Sequence, residues 1–217
     1  MSISWLLRTL PAMSGELARF DTDRTPAEPR ELFLRWFGEA VGAGVREPHL
    51  MSLATVDDQG LPDVRVLLLR DVDERGWHFA TDRRSAKGRQ LTARPDAALV
   101  FYWREQGRQV RVRGKAFDLG LAASAADFLG RSPSSRMASL SSAQSDVMSD
   151  KSDITLARQE AERLLAGNPD FVPESHAVYA LAPVSVEFWQ GDPASRRHPR
   201  LRYRRSAESW VKELLWP

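Results

Sequence analysis

The sequence predicts a mainly β, α+β fold: a small antiparallel barrel of about seven or eight strands with helices packed outside it. Three observations carry that prediction. From Met51 onward, β-branched and aromatic runs are separated by short acidic turns ending in glycine, "DDQG" and "DERG", which is hairpin punctuation. In "RQVRVRGKAFDL", Val110 and Val112 alternate with Arg111 and Arg113, the period-two pattern of a half-buried strand with one wet face. Helical texture enters mostly late, between two sets of strands.

In chain order, residues 1–26 carry little periodicity, end in "DTDRTPAEP", and are expected to form an arm. Residues 27–217 are expected to form one domain. "PRELFLRWFGEAVGAG" puts Leu32, Phe33, Trp36, Phe37 and Ala40 on one helical stripe that ends at a glycine. "LMSLATV", "DVRVLLLRDV" and "WHFATD" then read as strands joined by the two acidic turns. "SAKGRQLTARP" predicts a short helix with Ser85 as its N-cap and Pro95 beyond its end. "AALVFYWRE" and "RQVRVRGKAFDL" form a second predicted hairpin. A helix around "LAASAADFLGR", a serine-rich loop "SPSSRMASLSSAQSD" and an amphipathic helix around "DITLARQEAERLLAG" follow. "SHAVYALAPVSVEFWQ", "LRYRRS" and "WVKELLW" return to strand texture.

Composition narrows the function. Of 217 residues, 42% are hydrophobic and 28% charged, ordinary for a globular chain. The formal net charge is only +2, which does not by itself indicate a nucleic-acid binder. Cysteine is absent, which excludes disulfides, thiol nucleophiles and thiolate metal sites. The four histidines are scattered, and no HExxH, Walker, GxGxxG or GxSxG motif is present, so no metal site is expected. The longest apolar run, Ala97 to Trp103, is too short to span a bilayer, and a soluble, cytoplasmic protein is expected.

What remains is a set of cationic and amide-bearing side chains at strand ends: Arg65, Arg70, Lys87, Gln109, Gln144, Arg196, His198 and Arg200. Lys87 beside Ser85 at a helix start is a ready anion site. Taken singly, each is more often a solvated charge; together, at loops and strand ends, they suggest binding. The densest group lies in "EFWQGDPASRRHPRLRYRR", where a nucleic-acid patch, a solvated strand and an anion-binding site compete.

The segments "RVLLLR", "FATDRRSAKGRQL", "ARP", "GRQVRVRGKA" and "EFWQG…RRHPRLRY…W", in that order and spacing, resemble the pyridoxamine 5'-phosphate oxidase family from about Thr25 to Pro217. The resemblance implies a homodimeric split-barrel oxidase with FMN at the subunit interface. It implies that Arg65, Lys87 and Ser85 hold the FMN phosphate, and that the strand with Val66, Leu67, Leu68 and Arg70 runs along the isoalloxazine. Ala80 and Thr81 would line the phosphate and ribityl region. Gln109 and, from the partner subunit, Gln144 and Ser145 would bond flavin or ribityl oxygens, with Trp189 and Arg200 also at the flavin. Arg196 and His198 would hold the substrate ring. One residue is inserted between Trp189 and Arg196, so Arg197 is an alternative to Arg196.

The resemblance also has a gap. The family grips a substrate phosphate with lysine, tyrosine, arginine and serine; the matching residues here are Arg70, Asp127, Arg131 and Ser135. A carboxylate beside a phosphate dianion costs binding energy. The arm has "LLRTLPAM" where those enzymes carry an arginine-tyrosine pair that covers substrate. Both departures point towards the phenazine-biosynthesis branch, whose reduced ring substrates lack a phosphate, with oxygen as electron acceptor. A B6-phosphate oxidase, and a split-barrel protein that binds flavin without catalysis, stay as alternatives.

Overall fold

The computed structural model describes residues 2–11, 13 and 17–217. They form six α-helices and nine strands: α1 (Ile3–Thr9), α2 (Pro29–Gly42), β1 (Leu50–Val56), β2 (Pro62–Leu68), β3 (Asp71–Asp73), β4 (Gly76–Asp82), α3 (Ala86–Ala93), β5 (Asp96–Trp103), β6 (Arg108–Asp118), α4 (Gly120–Leu129), α5 (Pro133–Leu140), α6 (Ser152–Gly167), β7 (His176–Gln190), β8 (Arg200–Ser206) and β9 (Ser209–Leu214). The strands hydrogen-bond in the order β2-β1-β5-β6-β7-β4-β3, with β8 on β7 and β9 on β8. Two compact units are present: residues 1–51, 99–112 and 183–217, and residues 52–98 and 113–182.

In the first unit, α2 starts with Pro29 at its first turn, where a missing N–H costs nothing. Its predicted stripe buries Leu32, Phe33, Trp36 and Ala40. Phe33 meets Phe101 at 4.9 Å, and Trp36 meets Phe188 edge-on at 5.2 Å. The register of β7 with β8 puts Phe188 opposite Leu201 and Trp189 opposite Arg200. Strand β6 alternates as predicted, but the same phase carries Arg108 inside. Its guanidinium lies 4.3 Å from the Trp36 ring centroid, donates to Gln190 Oε1 at 2.9 Å and pairs with Glu39 at 2.5 Å. A buried charge is tolerable only with such partners.

In the second unit, β4 pairs with β7 antiparallel, and Phe79 stacks on its register partner Tyr179 at 5.8 Å. The β3–β4 turn closes on Gly76, whose φ is +130°, and a Cβ there would sit 2.0 Å from the Leu181 carbonyl oxygen. Only glycine fits that approach.

Three elements differ from expectation. "DVRVLLLRDV" is two strands, not one: the chain breaks after Leu68, and Arg70 N–H bonds the His78 carbonyl at 2.8 Å. This division turns the eight expected strand segments into nine strands among the described residues. The arm contains α1, capped by Ser2, whose Oγ accepts from Trp5 N–H. The serine-rich loop contains α5, with Ser132 as N-cap and Pro133 at its first turn, a start signal outweighed in the sequence by serine content. Ser132→Ala should cost about 1 kcal/mol, read as a lowered thermal midpoint.

Candidate active site

The candidate anion site lies in the second unit, where β4 turns into α3. Ser85 Oγ accepts from Gly88 N–H at 3.3 Å and donates to the Asp82 carbonyl at 2.7 Å, which fixes the helix start. A Cβ on Gly88 would fall 2.4 Å from the Arg83 carbonyl oxygen, so the helix start and the turn touch through backbone. Lys87 reaches inward, 5% exposed, and donates to Gln144 Oε1 at 2.7 Å and Ser85 Oγ at 3.3 Å. Both acceptors are neutral, and no carboxylate pairs with Lys87 among the described residues. Burial, and then the nearby Arg65 charge, push its ammonium pKa down to about 8. Thr81 joins the cluster, with Oγ1 3.3 Å from Ser85 Oγ and 3.4 Å from Gln144 Oε1.

Arg65 comes from β2. Its guanidinium donates to Thr55 Oγ1 at 2.6 Å and Gln90 Oε1 at 3.3 Å, and pairs with Asp63. On the same strand Val66 and Leu68 are exposed, at 60% and 42%, and Leu67 is half-buried. Ala80, on β4, is half-buried. Thus Arg65, Thr81, Ser85, Lys87 and Gln144 come together within one chain. The resemblance draws Gln144 and Ser145 from a partner subunit; here Gln144 sits on its own chain's Lys87. Ser145 follows it with φ +78°.

The second unit also holds the substrate-grip positions. Asp127 on α4 is nearly buried and accepts from Arg70 Nε at 2.6 Å and His176 Nε2 at 2.8 Å. Burial pushes the Asp127 carboxyl up, but the bonds from His176 and Arg70 outweigh it and hold the group below its ordinary range. Arg131 donates to Ser139 Oγ at 2.8 Å and lies 6.0 Å from the Phe128 ring centroid. No carboxylate pairs with it among the described residues, and burial lowers its pKa. Ser135 is elsewhere engaged: its Oγ accepts from Ser132 in the first turn of α5. His176 and Ser139 were not foreseen; His176 lies 49 residues from Asp127, and no spacing rule links them.

The first unit carries the remaining positions. Gln109 is half-buried on β6. Arg200 gives Nε and Nη2 to Glu187 Oε1 at 3.0 and 2.7 Å, and Arg111 takes the other carboxylate oxygen at 2.6 Å. Glu187 is 4% exposed, so this pair of arginines neutralises a buried carboxylate that the sequence reading overlooked. Arg202 and Arg204 pair with Glu213 on β9, in keeping with a solvated strand edge. Arg196 and Arg197 are exposed, and neither guanidinium has a partner among the described residues. His198 packs against Trp189, with ring centroids 5.4 Å apart.

Asp71, Asp73 and His78 bring potential metal-ligating atoms within 4.8 Å of one another. Asp73 pairs with Arg75 at 2.5 Å and lies 2.8 Å from His78 Nε2. No helix among the described residues is long and apolar enough to cross a membrane.

Comparison with known proteins identifies the family and the fold. The family model described as pyridoxamine 5'-phosphate oxidase matches residues 37–165, and that of the pyridoxine 5'-phosphate oxidase C-terminal dimerisation region matches residues 176–217. The pyridoxine/pyridoxamine 5'-phosphate oxidase of Ectopseudomonas mendocina is 41% identical over 98% of this chain and 100% of its own length. PhzG from Burkholderia lata, solved in complex with tetrahydrophenazine-1-carboxylic acid, is 34% identical and superposes with a TM-score of 0.87 over 94% of this chain and 100% of that one. A pyridoxamine 5'-phosphate oxidase-related, FMN-binding protein of Nostoc punctiforme shares the fold at 21% identity, over 88% of this chain and 98% of its own, with a TM-score of 0.70. With both family models matched in order and the split-barrel strand arrangement in place, the chain belongs to the pyridoxamine 5'-phosphate oxidase family of flavin-binding oxidoreductases.

Proposed function

We propose that this protein is an FMN-dependent oxidase of a reduced ring that carries a carboxylate rather than a phosphate, with oxygen as the electron acceptor. It works as a homodimer in the cytoplasm with FMN at the subunit interface, residues 27–217 acting as one oxidase domain behind an arm of residues 1–26.

The donor chemistry of the cradle supports FMN. A buried ammonium with only neutral acceptors, beside a guanidinium, two hydroxyls and a helix start, is a donor set suited to a phosphate dianion. When bound, the flavin accepts the two electrons; Lys87, Arg65, Ser85 and Thr81 hold its phosphate and so orient it. Val66, Leu67, Leu68, Ala80, Gln109, Gln144, Ser145, Trp189 and Arg200 are the proposed further cofactor contacts. Arg196 or Arg197 supplies a positive charge at the substrate, beside His198.

The observation that carries the substrate reading is the Arg70–Asp127 pair. Asp127 takes the cation that would otherwise meet a phosphate, and presents its own negative charge. Arg70 and Arg131 against Asp127 leave one net positive charge, which suits a monocarboxylate; a phosphate dianion brings about −1.5 to −2. The likeness to PhzG, whose solved complex holds tetrahydrophenazine-1-carboxylic acid, supports the same reading. The alternative, pyridoxine or pyridoxamine 5'-phosphate oxidation, is favoured by the names of relatives more than 40% identical and by the retention of Arg131 and Ser135.

Anaerobic titration decides between them. The yellow protein should bleach with tetrahydrophenazine-1-carboxylic acid, recover in air, and turn over pyridoxamine 5'-phosphate poorly. Turnover of pyridoxamine or pyridoxine 5'-phosphate at about one per second or faster, within the ordinary enzyme range, would overturn the proposal.

FMN affinity should also depend on pH with a defined sign. Lys87 is depressed to about 8 in the flavin-free protein and is raised when it pairs with phosphate. Binding therefore takes up a proton above pH 8, and affinity should fall about tenfold per pH unit as pH rises beyond 8. The same depressed pKa makes the flavin-free protein gain stability between pH 8 and the ordinary lysine value of 10.5. Flavin fluorescence titrations at pH 7, 8 and 9 check the first effect; a flat profile would show that Lys87 is not at the phosphate.

A further inference from the structure

We infer that His198 is held as a fixed hydrogen-bond donor through Nε2, and that the backbone amide of Asp192 is the group that holds it. The tautomer follows from geometry alone; its chemical consequence rests on the proposed place of His198 beside the substrate.

Asp192 N–H points at His198 Nδ1 across 3.0 Å. A peptide nitrogen can only donate, so Nδ1 presents its lone pair, and the neutral imidazole carries its proton on Nε2. The ring is also packed, 5.4 Å from the Trp189 ring centroid at an interplanar angle of 32°. Nε2 has no partner among the described residues. The imidazole is thus fixed at one nitrogen and open at the other.

The loop around it is built to keep this arrangement. The Asp192 carboxylate accepts from Ser195 N–H at 3.0 Å and from Ser195 Oγ, and the Asp192 carbonyl accepts from Arg196 N–H at 2.9 Å. Arg197 N–H bonds Ser195 Oγ at 3.2 Å. These bonds hold Arg196 and His198 at φ +59° and +40°, left-handed conformations that a non-glycine residue keeps only when its surroundings impose them. The base of the loop is closed by Gln190 N–H to the Pro199 carbonyl at 3.1 Å and by Gly191 N–H to the Gly107 carbonyl at 2.7 Å. The buried Gln190 side chain adds Nε2 to the Gln106 carbonyl at 2.9 Å and takes Arg108 at Oε1. Asp192 is therefore a positioning residue, and the Arg108–Gln190 brace anchors the strand end from which it projects.

The consequence concerns proton traffic. A nitrogen that already carries its proton cannot act as a base, and the other ring nitrogen is occupied. His198 in this state recognises a hydrogen-bond acceptor on the ring substrate, such as an imine-type nitrogen or a carboxylate oxygen. The proton that the substrate sheds as it gives up a hydride is not received at Nε2.

Nitrogen-15 NMR of the flavin-loaded protein tests this without any substrate, at a pH where the imidazole is neutral. His198→Gln deletes one pair of ring resonances and thereby assigns them. The native pair should be widely separated in the Nε2–H pattern, with a scalar coupling across the hydrogen bond between the Asp192 amide nitrogen and His198 Nδ1. Asp192→Asn, which keeps the amide, should preserve both signals. Asp192→Pro, which removes it, should abolish the coupling and draw the two ring shifts together. An Nδ1–H pattern, or converged shifts and no coupling in the native protein, would overturn the inference even if Asp192→Pro fails to fold. So would an Asp192→Pro spectrum identical to the native one. These readouts do not depend on which substrate is oxidised, so they fail or hold separately from the functional proposal.

Discussion

Replacing Lys87 with methionine should weaken FMN binding by about 1,000-fold while stabilising the flavin-free protein. The two effects have opposite signs because, under the proposed function, the lysine serves the ligand and not the fold. It is 5% exposed, its acceptors Gln144 and Ser85 are neutral, and Arg65 nearby repels it. Removing one partner of a desolvated, hydrogen-bonded charge pair costs about 2–5 kcal/mol of binding, and 1,000-fold is about 4 kcal/mol. In the flavin-free protein the same charge is uncompensated, and a pKa near 8 against 10.5 corresponds to a penalty on the order of 3 kcal/mol. Methionine keeps the length of the chain and removes the charge. Thermal unfolding of the flavin-free variant should therefore occur at higher temperature than for the native chain. Riboflavin, which lacks the phosphate, should bind both proteins alike. An equal loss of riboflavin and FMN affinity would mean that Lys87 shapes the pocket rather than reading the phosphate.

Asp127→Asn is expected to tighten pyridoxamine 5'-phosphate binding by about 30-fold, and to do so at a cost in stability. With the carboxylate gone, Arg70 is released and one repulsive charge disappears; at about 5–8 Å and an effective dielectric of about 20, that charge is worth about 2–3 kcal/mol against an anion. The fold loses a carboxylate that accepts from both Arg70 and His176, and burial makes such a loss expensive. Arg70 is a third exposed and can turn to water, so the loss should stay near 1–2 kcal/mol. Binding is read from the flavin spectrum on titration, and stability from urea unfolding. If affinity for the B6 phosphate does not change, Asp127 is not the group that disfavours phosphate, and the carboxylated-ring proposal loses its main support.

Much of this molecule was legible in its sequence, and the legible parts share a length scale. The stripe of α2, the Ser85 cap, the acidic hairpin turns and the alternation of β6 each depend on residues within a turn or a few residues of one another. The same holds for the pairing of Lys87 with Ser85 at a helix start. Where local signals competed, the reading failed. Ser132–Pro133 announces α5, yet the surrounding serines read as loop, and the unbroken apolar run through Leu69 concealed the division between β2 and β3.

The partners of the charged groups were not legible. Arg108 looks like any outward arginine until the phase of β6 turns it onto Trp36 and Glu39. Asp127 reads only as an obstacle to phosphate until His176, at the start of β7, joins Arg70 upon it. Arg200 reads only as a strand-end cation until the fold brings Glu187 against its guanidinium. The sequence by itself determined most of the secondary elements, the absence of thiol chemistry and the candidate groups for binding an anion, because capping, periodicity and composition act locally. Only the tertiary structure decided which of those groups remain uncompensated and which nitrogen of His198 faces outward. Charge pairing and tautomer depend on what distant segments bring within hydrogen-bond reach, and no local pattern encodes that.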